Sequence, residues 1–319
     1  MKQTKENAVM KKNTELINGN VWYDTDGNVL HAHGGHMLFW QGEWYWYGEN
    51  RTENRYVSVY RSRDLVNWTF CRHALTTDSP TAEYRVKTDR KLRTADGGKI
   101  NVERPKVLYN EKTKQFVMWM HVENGKDYRD AACAVAVCDR PDGEFTYLGC
   151  FNPFGYMSRD CTLFQDGDGT AYFISASRDN ADLHVYRLTE DYLSVECLVH
   201  KLWQGEYREA PAVMERNGKY YMFSSYCTGW APNQCRYATA DAVEGRWSML
   251  ADIGDAVTYR TQPAFILPVK KETGTDYYYV SDRWNGKDYN DSRYVILPLS
   301  FTPDGLPVME YRDEFCPGL

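Results

Sequence analysis

No stretch of this 319-residue chain approaches the roughly 20 apolar residues that a membrane helix needs. The first twenty residues, Met1 to Asn20, are rich in Lys, Asn and Glu and carry no apolar core, so no secretory signal is expected and a cytoplasmic location is. Cationic charge is in short supply, with 38 Lys and Arg against 44 Asp and Glu, which argues against a nucleic-acid-binding surface. The nine cysteines are odd in number, scattered, and never spaced Cys-x-x-Cys, so neither a zinc signature nor a disulfide framework is indicated. Free thiols in a reducing compartment fit that pattern. Helical periodicity is almost missing too, beyond a short piece at Thr189 to Leu193.

Aromatic residues are abundant at 15%, including 25 Tyr and 10 Trp. Strands favour such side chains, and flat aromatic faces also serve sugar-binding clefts. The run Met37 to Trp40, the turn Gln41-Gly42 and the run Trp44 to Tyr47 read as a β-hairpin that ends on Gly48-Glu49. The pattern recurs. Segments opening at Glu103, Asp160, Glu209 and Gln262 each run as an apolar strand, a turn and a second, aromatic-rich strand. These openings lie 57, 49 and 53 residues apart, and His33 opens an equivalent segment before them. A repeat of this length with several strands per unit is the mark of a propeller. The expected fold is therefore all-β, a five-bladed β-propeller over residues 21–319 behind an N-terminal extension, residues 1–20. Residues 1–15 are expected at the surface, and Thr76 to Asn101 form a long loop between the first two blades.

Innermost propeller strands line the central axis, so the opening residues His33, Glu103, Asp160, Glu209 and Gln262 should converge on one funnel. Carboxylates gathered there raise one another's proton affinity, which lets one stay protonated while another stays charged. The competing explanation is that they pair with the neighbouring Arg104, Arg159 and Arg208.

The sequence resembles glycoside hydrolase family 43, and most closely its exo-β-1,3-galactanase subfamily. The stretches that carry the resemblance begin with Ala32-His33-Gly34-Gly35, Tyr45-Trp46-Tyr47-Gly48-Glu49, Glu103-Arg104-Pro105-Lys106-Val107 and Ser158-Arg159-Asp160-Cys161-Thr162. Glu209-Ala210-Pro211-Ala212, Cys227-Thr228-Gly229-Trp230-Ala231-Pro232-Asn233, Thr261-Gln262-Pro263, Asp282-Arg283-Trp284 and Ser292-Arg293-Tyr294 continue it. It implies that Glu209 is the general acid, that Asp160 orients it, and that Glu49 and Glu103 hold hydroxyls of the terminal sugar. It further suggests hydrogen bonds from Asn180, Thr228 and Asn233 and stacking from Tyr128 and Trp230.

The slot that usually supplies the general base holds His33 instead of an Asp. In the galactanase branch a glutamine at the position of Gln262 positions the attacking water, or activates it as an imidic acid. An amide there would accept from water through its oxygen and donate through its nitrogen. His33 is the alternative helper, since histidine is easily poised near neutral pH, and His36 would either narrow the pocket or place an imidazole near the sugar. The implied reaction is exo-acting hydrolysis with inversion of a β-1,3-galactan or galacto-oligosaccharide, releasing galactose. No cofactor or metal is implied. The partner is a carbohydrate, with no nucleic acid or membrane. The alternatives are an α-L-arabinofuranosidase, β-xylosidase or galactofuranosidase of the same family, or a propeller that binds glycans without cleaving them.

Overall fold

The computed structural model describes residues 13–82 and 92–318. The expected frayed segment therefore lies, up to residue 12, outside the described residues, as does the 83–91 part of the long loop. A two-residue strand β1 (Leu16–Ile17) precedes five antiparallel four-stranded sheets, each built from strands consecutive in sequence. Blade I comprises β2 (His33–Trp40), β3 (Glu43–Glu49), β4 (Arg55–Ser62) and β5 (Thr69–Thr76). Blade II comprises β6 (Asn101–Asn110), β7 (Gln115–Glu123), β8 (Ala132–Cys138) and β9 (Thr146–Phe151). In blade III these are β10 (Cys161–Gln165), β11 (Ala171–Ser177), β12 (Asp182–Leu188) and β13 (Val195–Leu202). Blade IV has β14 (Arg208–Arg216), β15 (Lys219–Tyr226), β16 (Arg236–Ala240) and β17 (Ala251–Asp252). Blade V has β18 (Gln262–Lys271), β19 (Gly274–Arg283), β20 (Arg293–Phe301) and β21 (Pro307–Met309), and β22 (Glu314–Phe315) is the last described strand.

The inner strands β2, β6, β10, β14 and β18 each neighbour the next, and β18 returns to β2, which closes a five-bladed propeller. Left-handed pairs make the expected tight hairpins, with Gln41 at φ 49° and Gly42 at φ 87°, and Asn217 at φ 53° and Gly218 at φ 76°. Thr189 to Leu193 is not helical but a turn, closed by Tyr192 N–H donating to the Thr189 carbonyl at 2.8 Å. The described helices are three-residue 3₁₀ turns.

Most of the aromatic content belongs to the seams between blades. Tyr47, Met118 and Phe145 pack between I and II, and Trp119, Phe173 and Tyr186 between II and III. The seam from V back to I holds Trp22, Trp46, Trp68, Phe265 and Tyr294. There the Trp46 and Trp68 rings meet edge to face at 5.1 Å between centroids.

Among the described residues no strand is exchanged between the first and last sheets, so the ring needs another fastener. β1 pairs antiparallel with β22. Next to it, the buried Asn18 side chain adds itself to blade V. Its Nδ2 donates to the carbonyls of Ile296 at 2.9 Å and Arg312 at 3.0 Å, and its Oδ1 accepts from Ile296 N–H at 2.8 Å. Asn18→Ala would strand these buried backbone groups, each worth about 1–3 kcal/mol when left unpaired. The expected outcome is a thermal midpoint several degrees lower in a calorimetric or fluorescence melt, with turnover at 25 °C largely retained; an unchanged midpoint would remove Asn18 from the closure.

Candidate active site

A register shift follows the opening residue of four inner strands, between His33 and His36, Glu103 and Lys106, Glu209 and Ala212, and Pro263 and Phe265. Such bulges bend a strand and re-aim a side chain. Gly34, Arg104 and Ala210 adopt φ of 55°, 53° and 51° at three of them. At Gly34 a Cβ would come within 2.4 Å of Glu49 Oε1, so glycine is required there for space as well as conformation.

Arg104 organises the funnel. From blade II its guanidinium pairs with Asp160 Oδ2 of blade III at 2.9 Å. It also donates to the Pro263 carbonyl of blade V at 2.9 Å and to Gln262 Oε1. Its backbone N–H donates to Glu49 Oε1 of blade I at 2.9 Å. Beneath it, the buried Lys106 ammonium donates to the Gly34 carbonyl at 2.7 Å. Burial lowers the pKa of Lys106 to about 8.

Glu209 differs from the other carboxylates of the funnel. Glu49 has Arg51 at 2.9 Å, Glu103 has Arg51 at 2.6 Å, and Asp160 has Arg104. Against Glu209 stand two neutral amides, Asn180 Nδ2 donating to Oε2 at 2.8 Å and Gln262 Nε2 donating to Oε1 at 2.9 Å. Only 8% exposed, Glu209 has its pKa raised to about 7, first by burial and then by the Asp160 charge, with Arg104 opposing. Glu103 is pulled the other way. Burial disfavours its charge, but Arg51, His121 and Arg104 outweigh that and hold its carboxyl well below the usual range. One carboxyl is thus poised as an acid near neutral pH, and others stay charged around it.

Both amides are delivered by strained backbone. Arg178, Asp179 and Asn180 are consecutively left-handed at φ 51°, 55° and 65°, and Thr258, Tyr259 and Arg260 repeat this at 52°, 54° and 65° just before Gln262. Runs of non-glycine residues in this region are costly and cluster where the surrounding structure imposes them.

The remaining expectations divide. Tyr128, 42% exposed, lies at the mouth with the Arg159 guanidinium 3.7 Å from its ring centroid, and Trp230, 49% exposed, stands edge-on to Trp284 at 6.0 Å. His33 does not face the funnel. It is 1% exposed, its Nδ1 is 2.8 Å from Asp282 Oδ1, and its ring stacks on Tyr294 at 4.5 Å. The expectation that it contacts sugar or water is corrected, since it ties blade I to blade V. His36 is likewise interior, packed on Phe265, and burial drives its pKa down to about 3. Glu49 sits under the surface at 1% exposure, its oxygens taken by Arg104 N–H, Arg51 and the Tyr289 hydroxyl. It braces Arg51 and Arg104 rather than presenting a free oxygen to a sugar. Thr228 and Asn233 brace their own loop. Thr228 donates to the Ala231 carbonyl at 2.6 Å, and Asn233 clasps both backbone groups of Tyr226, at 2.8 and 2.6 Å. That loop carries Trp230.

Sequence reasoning passed over Arg51, His121, Ser225 and Tyr289 and saw Arg104 only as a partner. Two of them had a signal, because Arg51 and Arg104 each lie within two residues of a recognised carboxylate. Tyr289 had none, since it arrives on a loop 240 residues away from the Glu49 it bonds. Among the described residues, Glu103, His121 and Asp160 can gather three ligand atoms within 4.8 Å of one another, but Arg51 and Arg104 already neutralise the two carboxylates.

A propeller funnel holding one buried, proton-bearing carboxyl among charged ones is the working site of a glycosidase. Residues 31–307 match the family model for glycosyl hydrolases family 43. An exo-β-1,3-galactanase from Clostridium thermocellum is 45% identical with a TM-score of 0.87, over 95% of this chain and 66% of that one. A family 43 β-1,3-galactosidase in complex with galactodeoxynojirimycin is 35% identical with a TM-score of 0.83, over 94% of this chain and 99% of that one. A β-D-galactofuranosidase of Aspergillus niger is 25% identical over 82% of this chain and 81% of its own length. The chain belongs to glycoside hydrolase family 43 and is a glycosidase. It spans about two thirds of the length of the Clostridium galactanase.

A general acid must be protonated to donate, so with Glu209 in that role kcat/KM should fall as pH rises through about 7, where that carboxyl ionises. Glu209→Gln keeps the shape and removes the proton. It should cost about 10²–10⁴-fold on a disaccharide and much less on a dinitrophenyl glycoside, whose leaving group needs no acid. Equal losses on both substrates would take the acid role from Glu209.

Proposed function

We propose that the chain is an exo-acting, inverting β-1,3-galactosidase that removes terminal galactose from β-1,3-galactan or its oligosaccharides. The observation that carries the chemistry is Glu209, buried, clamped by two amides and holding its proton near neutrality. It protonates the leaving glycosidic oxygen. Asp160 acts as the charge that raises the acid's pKa, and Glu103, held charged by Arg51 at Oε1 and with Oε2 3.3 Å from His121 Nδ1, lines the sugar site. Tyr128 and Trp230 flank the entrance. Exo action fits Arg104, which reaches from blade II to blades III and V and so spans the axis beneath the acid. A funnel blocked in this way admits a chain end only.

The sugar assignment rests on likeness to the two galactan-active structures. A second reading, hydrolysis of β-galactofuranosides, is favoured by the curated Aspergillus relative. Nitrophenyl β-galactopyranoside, β-galactofuranoside, α-L-arabinofuranoside and β-xyloside, assayed beside β-1,3-galactobiose, separate the readings. The pyranoside and the galactobiose should be cleaved. Proton NMR of the first-formed product should show α-galactose before mutarotation, as inversion of a β-linkage requires. β-Galactose appearing first would overturn inversion, preference for the furanoside would overturn the sugar, and release from none would favour the glycan-binding alternative.

A further inference from the structure

The three arginines beside the opening carboxylates meet different fates. Arg104 is spent on Asp160. Arg208, 2% exposed, turns to its own blade and donates to Ser224 Oγ at 3.1 Å and to the Ser224 carbonyl. Arg159, next to Asp160 at the start of blade III, is partly exposed. Among the described residues no carboxylate pairs with its guanidinium and no hydrogen bond holds it; what fixes it is a ring. The guanidinium carbon lies 3.7 Å from the Tyr128 centroid, and that ring stacks on His121 at 6.1 Å. The Tyr128 turn is itself fastened, with Asp127 accepting from Arg129 N–H at 3.1 Å and Asn152 Nδ2 donating to the Ala131 carbonyl at 2.8 Å. A guanidinium stacked on an aromatic face keeps its N–H donors at its edge, available to a ligand.

We infer that Arg159 determines specificity for the leaving sugar, its guanidinium edge donating to hydroxyls of the galactosyl residue beyond the cleaved bond while Tyr128 holds it in place. This deepens the proposed activity and rests on it. Tyr128 stands at the mouth, and the Arg159 charge is felt by Glu209 and by the Cys227 thiol beside that acid. The terminal sugar belongs deeper, among Glu103, Asp160 and Arg104, where the chain end stops. Between the proton donor and the mouth lies the sugar that departs. Hydroxyl oxygens accept well from a cationic donor, and an unpaired guanidinium gives up no protein partner to bind them.

The test separates the leaving sugar from the acid. β-1,3-Galactobiose and methyl β-galactopyranoside both expel an alkoxide that needs the acid's proton, but only the first expels a ring with hydroxyls. Assays at pH about 5 keep Glu209 protonated in wild type and variant alike. Arg159→Met should lose about 10- to 100-fold in kcat/KM on the galactobiose, the range for one or two hydrogen bonds from a charged donor. On the methyl galactoside it should stay within about twofold of wild type, and inhibition by free galactose should be unchanged. Arg159→Lys, which keeps the charge and loses the fork, supplies the same comparison should the methionine variant fail to fold. Equal losses on both substrates, no loss on the galactobiose, or weakened inhibition by galactose would each overturn the inference. The sugar assignment is separable. If the wild-type enzyme ignores galactobiose and cleaves another glycoside, the disaccharide and methyl glycoside of that sugar still decide the role of Arg159.

Discussion

The interaction on which the rest of the site depends is the placement of one arginine across the propeller axis. Arg104 touches blades I, III and V from blade II, and its charge acts on Glu209 of blade IV. Burying a guanidinium without partners would cost several kcal/mol, so carboxylates must converge on it. They do: Asp160, Glu49, Asp282 and Glu209 all favour its charged form, outweighing the burial that opposes it. The residue that knits the inner strands together is thus also the one that neutralises the funnel.

Neutralisation is selective, and that selectivity makes the chemistry. Arg51 serves Glu49 and Glu103, and Arg104 serves Asp160. Glu209 receives two amides and the Cys227 thiol, all neutral, so in a buried, net-acidic pocket it is the carboxyl whose pKa rises. The left-handed turns at 178–180 and 258–260 are the conformational cost of bringing those amides to it. The surrounding scaffold can sustain that strain because the seams are filled with large aromatic side chains and the ring is tied shut through Asn18 and the β1–β22 pair.

The blades were legible because each is local in sequence. A strand alternates with period two and a tight hairpin announces itself by Gly or Asn, so Met37 to Tyr47 and Tyr220 beside Asn217-Gly218 read without ambiguity. His33 shows where the reading stopped. An opening residue was expected to face the axis, but the bulge after it and the carboxylate of Asp282, 249 residues on, turn it into the seam. Thr228 and Asn233 show a different limit: their hydrogen-bond partners lie so near in the chain that both side chains brace their own short loop.

What the sequence determined by itself is the number of blades, the order of the polar slots along the axis and the identity of Glu209 as a carboxyl among carboxyls. These follow from strand periodicity and from spacing, which are properties of neighbouring residues. Only the tertiary structure decided which carboxyl lacks a cation, which way round the Gln262 amide sits, and which of the polar openings is buried. Those outcomes depend on charges and donors brought together from different blades, 158 residues apart for Arg104 and Gln262 and 240 for Glu49 and Tyr289. Electrostatic and hydrogen-bond energies fall off over a few ångströms in space, whatever the separation along the chain.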